Sequence, residues 1–203
     1  MLYEGTLCER EVVIVQSGIG KVNSATCAQI LIDRFGITHL VNTGIAGGVG
    51  EGLQIGDLVI GSALCQHDFD LVVFGYAKGS LGIGPKDRPT LFYSDGDMVE
   101  KIRTVAAEEM GAGTVHEGII ASGDQFVSDG AEKRSIRKIF HALAVEMEGA
   151  AIAHTAYLAN VPFVVLRAIS DLADGTATES FEQFEQKTAD LSATVLEKFL
   201  TVF

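Results

Sequence analysis

Short apolar runs that end in glycine alternate with stretches whose apolar residues recur at helical spacing, and this alternation sets the expected order of elements. Leu2 to Leu7 and Glu11 to Gln16 read as two strands around a turn near Cys8 to Arg10, with Val12-Val13-Ile14-Val15 as a buried-type run. That places the chain's opening inside a sheet. Ser17-Gly18-Ile19-Gly20-Lys21 then turns into a helix reaching about Arg34, with Val22, Ala25, Ala28 and Ile32 on its inner side. His39 to Thr43 is a short strand followed by Gly44-Ile45-Ala46-Gly47-Gly48-Val49-Gly50, a second small-residue turn where backbone can approach a ligand closely. Asp57 to Leu64 is a further strand.

Gln66 to Pro89 lacks periodicity and carries Gly75, Gly79, Gly82, Gly84, Pro85 and Pro89, so it reads as a long irregular excursion. Its Phe69, Leu71, Val72, Val73, Phe74 and Tyr76 form either an exposed patch for an oligomer or pocket wall, or an apolar strand tucked onto the sheet. Asp97 to Met110 is an amphipathic helix with Met98, Ile102, Val105 and Ala106 inside. Thr114 to Ala121 is a strand, and Asp129 to Phe140 a charged helix opening at an Asp cap. Leu143 to Val145, then Gly149 to Ala159, give a strand running into a small-residue helix. Val161 to Ile169 is the clearest buried strand, and Ser180 to about Leu200 a closing helix with Phe181, Phe184, Leu191, Val195 and Phe199 on one face. Alternating strands and helices without internal repeats predict a single α/β domain over 1–203, a three-layer α/β/α sandwich around a mixed, twisted central sheet.

Composition narrows the partners. The 203 residues are 47% hydrophobic and 21% charged, an ordinary globular balance. No apolar run approaches the roughly 18 residues of a membrane span, so no membrane partner is expected. A net charge of -12 argues against nucleic acid, whose phosphates are held by Lys and Arg. A small-molecule ligand is the expectation. Cys8, Cys27 and Cys65 are odd in number and widely spaced, which suits a reducing cytoplasm. His39, His67, His116, His141 and His154 are scattered, without the second ligand that a metal site requires.

Candidate chemistry gathers at strand ends, where open α/β sheets keep their ligand crevices. Glu146 and Glu148 sit two residues apart at the strand-to-helix junction, and in extended chain such a pair shares one face. Two readings stand for them: a ligand site, or a helix N-terminus with acids placed to meet its dipole. Asp171 ends the next strand. Arg167 lies inside an apolar run, where a guanidinium needs an acid or a polar ligand beside it. Phe126, delivered by the turn Ser122-Gly123-Asp124-Gln125, is by itself more often a core residue than a platform for a planar ring.

Together, Ser17-Gly18-Ile19-Gly20-Lys21, Asn42-Thr43-Gly44-Ile45-Ala46-Gly47-Gly48, Phe74-Gly75-Tyr76, Ser122-Gly123-Asp124, Val145-Glu146-Met147-Glu148 and Arg167-Ala168-Ile169-Ser170-Asp171 resemble one family. It is the 5'-methylthioadenosine/S-adenosylhomocysteine nucleosidases of the purine nucleoside phosphorylase and nucleosidase superfamily, and the match runs through essentially the whole chain in order. The resemblance implies hydrolysis of an N-glycosidic bond to release adenine, with neither cofactor nor metal, by a homodimer in the cytoplasm. By resemblance Glu148, as the helix-capping acid, holds the ribose hydroxyls, Met147 packs beside the sugar and Glu146 supports the site. Asp171 matches the general acid that protonates adenine at N7, for which a raised pKa is expected from burial. Arg167 matches an arginine near the ribose and attacking water. Phe126 matches the residue stacked on adenine and Val127 the one whose backbone reads the ring edge. Ala46, Gly47, Ile19 and Ser170 fall among the pocket residues, and Phe181 closes a lid. Leu71 and Phe74 match residues that a dimer partner sends into the 5'-alkylthio pocket.

The resemblance also implies departures. The family's first strand and helix, on the order of 30 residues for a typical α/β unit, are expected before Met1 and carry a glutamate that activates water. No residue here matches it. Ile45 stands where many relatives have a small hydroxyl residue, and Gly82 where relatives often have proline. Phosphorylases of the superfamily carry an arginine just before the second glycine-rich turn, whereas this chain has Val41-Asn42-Thr43, so water is the expected acceptor. The alternatives kept are a phosphate-dependent phosphorylase and a nucleoside-binding relative with impaired catalysis. A futalosine-type hydrolase needs a 6-oxopurine site, and Asp171 suits a 6-amino purine better.

Overall fold

The computed structural model describes residues 1–172 and 190–203, together with the helical backbone of 177–189. Among the described residues, eight strands and five α-helices follow one another as β1 (Leu2–Leu7), β2 (Arg10–Val15), α1 (Lys21–Phe35), β3 (Leu40–Gly48), β4 (Leu58–Gln66), β5 (Phe92–Tyr93), α2 (Gly96–Met110), β6 (Val115–Ser122), α3 (Gly130–Phe140), β7 (Ala142–Glu146), α4 (Gly149–Ala159), β8 (Phe163–Asp171) and α5 (Ala177–Val202). The helices and strands expected from periodicity are present, with ends displaced by a few residues.

The central sheet is mixed, in the order β5-β4-β6-β7-β3-β8, and β4 also pairs antiparallel with β8, so five strands close on one another. This closure goes beyond the expected sandwich. A register shift between Gly61 and Ala63 accompanies it: Leu58 to Gly61 pair with β8, while the strand also runs parallel to β6. A Cβ at Gly61 would lie 3.0 Å from Ile120 Cδ1 and 3.3 Å from the Val165 carbonyl, so only glycine passes freely there.

Every residue of β8 is buried. Its odd positions Phe163, Val165 and Ile169 join a core shared with Ala28 of α1 and Ile152, Ala153 and Ala156 of α4. Its even positions Val164, Leu166 and Ala168 meet Met98, Ile102 and Ala106 of α2 with Val195 and Phe199 of α5. Period-2 alternation thus serves two helical layers. Arg167 occupies an odd position, in line with Val165 and Ile169.

Three expectations change. The Gly44 to Gly48 stretch is not a turn but the continuation of β3, whose small residues pair parallel with β8 and then antiparallel with β7. A Cβ at Gly48 would come within 3.2 Å of Ile169 and 3.3 Å of Leu172. The buried face of α1 is Ser24, Ala28 and Leu31, with Val22 77% exposed, because small side chains let α1 lie close against α4. Finally, among the described residues β1 and β2 pair only with each other, outside the central sheet, and their apolar residues Leu2, Tyr3 and Ile14 are exposed. In the excursion after β4, Val72–Phe74 form one 3-10 turn and all three are exposed, so the stretch is not a strand tucked on the sheet.

Candidate active site

The carboxyl ends of β3, β7 and β8 bring the candidate residues together. Gly47 is aligned with Val145 of β7 on one side and with Asp171 of β8 on the other. The β7 junction and Asp171 therefore flank the small-residue end of β3, two interstrand spacings or about 10 Å apart.

Glu146 and Glu148 divide the two readings between them. Glu146 is buried, and its Oε2 accepts the amides of Glu148 at 3.1 Å and Gly149 at 2.8 Å, so Glu146 caps α4. The same oxygen takes Arg167 Nε at 3.1 Å and Arg167 Nη2. Ser122 Oγ donates to Glu146 Oε1 and accepts the Ala150 amide at 2.7 Å. Burial pushes the Glu146 carboxyl up, but the Arg167 charge and the hydrogen bonds from Ser122, Gly149 and Arg167 outweigh it and hold the group below its ordinary range. Arg167 also donates through Nη1 to the Leu166 carbonyl at 2.8 Å and through Nη2 to Asn42 Oδ1 at 2.6 Å. The expected acid beside the buried guanidinium is thus Glu146.

Glu148 makes no side-chain cap on α4, which corrects its expected capping role. Its Oε1 instead accepts the Gly20 amide, at 2.9 Å, from the turn before α1. That turn depends on glycine: Gly18 has φ 85° and Gly20 φ 92°. Burial raises the Glu148 pKa above its ordinary value, against the Gly20 amide and with help from the neighbouring Glu146 charge. A carboxylate poised in this way, partly desolvated and held by backbone amides, is suited to accept from a hydroxyl.

Asp171 is 2% exposed, and Ser170 Oγ donates to its Oδ2 at 2.9 Å. Ala46, Gly47 and Ser170 are buried around the β3 and β8 ends, and Met147 is half-buried beside Glu148. Val127 is buried while Phe126 is 51% exposed, so the loop after β6 turns one side chain inward and leaves a ring at the surface. The core role first favoured for Phe126 from sequence does not hold. Ile19 is exposed on the glycine turn. Leu71 and Phe74 lie in the excursion, apart from these strand ends in sequence, with Phe74 73% exposed. Phe181 lies outside the described residues.

Two members of the buried network escaped assignment from sequence: Ser122 and Asn42. A polar side chain inside the strand run Leu40-Val41-Asn42 was the available signal, since it needs a partner. Among the described residues, no group of three His, Cys, Asp or Glu is placed to hold a metal ion, and no helix is long and apolar enough to cross a membrane.

A family model described as Phosphorylase superfamily matches residues 1–201. A 5'-methylthioadenosine/S-adenosylhomocysteine nucleosidase of Staphylococcus aureus is 43% identical over 200 residues, 98% of this chain and 85% of that protein. The nucleosidase of Neisseria meningitidis in complex with methylthio-immucillin-A superposes with a TM-score of 0.93 at 41% identity, over 100% of this chain and 86% of the other. That of Streptococcus pneumoniae with the transition-state inhibitor MT-ImmA gives 0.90 at 42%, over 98% and 85%.

Proposed function

The chain belongs to the Phosphorylase superfamily and, within it, to the 5'-methylthioadenosine/S-adenosylhomocysteine nucleosidases, and from that membership we propose that it hydrolyses the N-glycosidic bond of both nucleosides, releasing adenine and a 5-thioribose product. The observation that carries the reading at this site is the alignment of Val145, Gly47 and Asp171, which sets Glu148 and Asp171 on opposite flanks of one strand end. Cleavage passes through an oxocarbenium-like sugar. A carboxylate on the ribose hydroxyls stabilises that charge, and an acid on the far side supplies the proton that lets the base leave neutral.

Glu148 takes the ribose and Asp171 protonates adenine N7, oriented by Ser170. Glu146 does not touch the nucleoside; it holds Arg167, and through Ser122 and the α4 amides it fixes the junction on which Glu148 stands. Arg167 lies near the ribose and attacking water. Phe126 stacks on adenine, the Val127 backbone reads its edge, and Met147, Ala46, Gly47 and Ile19 line the pocket. Water is the acceptor: Arg167, which packs 3.5 Å from the position of a Cβ on Gly44, is already committed to Glu146 rather than available to phosphate.

Two copies complete the site. The exposed Val72, Val73 and Phe74 are suited to bury against a second protomer, which would place Leu71 and Phe74 beside the partner's 5'-substituent pocket. Gly82 has φ 75°, which proline does not adopt, so this wall differs in backbone from relatives with proline there. A reducing cytoplasm is consistent with three free cysteines. The test is adenine release from methylthioadenosine in phosphate-free buffer. Release independent of phosphate supports the hydrolase; strict dependence on phosphate makes the chain a phosphorylase, and binding without turnover makes it a nucleoside-binding protein.

A further inference from the structure

The three loops around Glu148 end on a ring of side chains that the roles above do not use. Lys21 Nζ donates to Asp68 Oδ1 at 2.6 Å and to Gln66 Oε1 at 3.2 Å. Asp68 Oδ2 accepts the Asp124 amide at 2.9 Å, and Asp124 Oδ1 accepts the Lys21 amide at 2.8 Å. These contacts close a triangle between the start of α1, the end of β4 and the loop after β6. The Lys21 and Asp68 side chains are each 18% exposed, so the ion pair is largely screened from water. A triangle of this kind removes the freedom of all three loops together.

What the triangle holds is the glycine turn. Gly20 and Lys21 have consecutive amides: the first points to Glu148 Oε1 at 2.9 Å, the second to Asp124 Oδ1 at 2.8 Å. A Cβ on Gly20 would sit 3.0 Å from Asp124 Oδ1, so the turn is moulded against that carboxylate. Underneath, Gly123 donates to the Glu146 carbonyl at 3.1 Å and His67 to the Ser122 carbonyl at 2.9 Å, which ties the same loop to β7 and β4.

We infer that Lys21, Asp68 and Asp124 are positioning residues that lock the Ser17–Lys21 turn so that the Gly20 amide stays on Glu148. An amide donated to a carboxylate favours its charged form, whereas burial opposes it, so the turn tunes how far Glu148 is ionised when a nucleoside arrives. The charged and titratable groups around Glu148 come from five elements. Glu146 ends β7 and Arg167 stands on β8, with opposite effects on it; His67 and Asp68 follow β4, Lys21 opens α1, and Asp124 follows β6. Of these only the triangle acts through the Gly20 amide.

The inference rests on the nucleosidase reading in taking Glu148 as the ribose ligand, and the experiment separates the two. Methylthioadenosine binding is followed by calorimetry from pH 5 to 8 for the wild type and for Lys21→Met, Lys21→Arg, Asp124→Ala and Asp124→Asn, beside thermal unfolding and adenine release. Lys21→Met and Asp124→Ala are expected to bind about ten-fold more weakly at the acid end, the loss of one charge-assisted hydrogen bond, and to regain affinity as the pH rises and Glu148 ionises. Lys21→Arg keeps a donor and Asp124→Asn an acceptor, so both recover wild-type binding. If Asp124→Asn binds as poorly as Asp124→Ala, or if every variant follows the wild-type pH dependence, the triangle has no positioning role. A wild type that binds methylthioadenosine yet releases no adenine overturns the hydrolase and leaves the triangle standing. Where Lys21→Met fails to fold, the Asp124 pair decides alone.

Discussion

Arg167 and Glu146 close on each other inside the protein, Nε and Nη2 both reaching Oε2, with each side chain 2% exposed. Two charges removed this far from water are kept by their partners rather than by solvent. Removing one leaves the other buried and unpaired. Glu146→Ala and Arg167→Met are each expected to cost roughly 3–5 kcal/mol in denaturant unfolding. Because the native Glu146 pKa is depressed, its contribution is present above pH 4.5, the ordinary value, and is lost as the pH falls through the native value. Wild type should therefore lose stability on acidification below pH 4.5 more steeply than Glu146→Gln. Equal acid slopes for the two proteins would remove the pair from the stability account.

Glu148 carries the opposite sign. Its native pKa is raised by burial, so the native state binds more protons than the unfolded chain above pH 4.5, and ionising it lowers stability as the pH rises. Glu148→Gln is expected to raise the unfolding temperature of the empty protein at pH 7 while lowering kcat by about 10²-fold or more, as loss of an electrostatic contact to developing charge does. A variant that loses both stability and activity would indicate a structural acid instead.

Asp171→Asn tests the proton donor. The amide matches the carboxyl in shape and Ser170 remains beside it, so folding and methylthioadenosine binding are expected to stay close to wild type while kcat falls by about 10²- to 10⁴-fold. Binding is read by calorimetry and turnover by adenine release. A kcat within a few-fold of wild type would move the acid elsewhere.

Much of this arrangement was legible in sequence, and the gaps have physical causes. Helical periodicity located α2 closely, because one face is set by Met98, Ile102 and Val105; the Asp129 cap marked the start of α3 and the run of small residues marked α4. Closure of the sheet was not legible, since it rests on a register shift at Gly61 and on β4 pairing with β8 far away in the chain. The Gly44 to Gly48 stretch looked like a turn because strand propensity reports side chains, and this strand is held by its neighbours on both sides. The division of labour between Glu146 and Glu148 was also hidden. Spacing put them on one face, but only the positions of Arg167, Ser122 and Gly20 decide which acid is already occupied.

Phe126 distinguishes a platform from a core residue. Truncating a buried Phe costs about 3–5 kcal/mol, whereas a ring that is 51% exposed already keeps half of its surface in solvent and has less to lose. Phe126→Ala is expected to leave the unfolding temperature nearly unchanged and to raise KM for methylthioadenosine about ten-fold, the worth of a stacked aromatic pair. Calorimetry and initial rates check it together. A large stability loss would return Phe126 to the core.

Gly123 is the tightest point beneath the site. A Cβ there would lie 2.4 Å from His67 Nε2, 2.6 Å from His67 Cε1 and 3.1 Å from Asp68 Cγ, and His67 is 2% exposed with no open direction to retreat. Burial lowers the His67 pKa, so the ring is a neutral wedge under the loop that carries Asp124 and Phe126. Gly123→Ala is expected to destabilise by about 1–3 kcal/mol through overpacking and to raise KM by lifting that loop. His67→Ala removes the obstructing ring, so the double variant should be more stable than the sum of the two single losses implies, with a coupling of roughly 0.5–3 kcal/mol. Additive losses in that cycle would mean that the backbone at Gly123, rather than contact with His67, is what the methyl group disturbs.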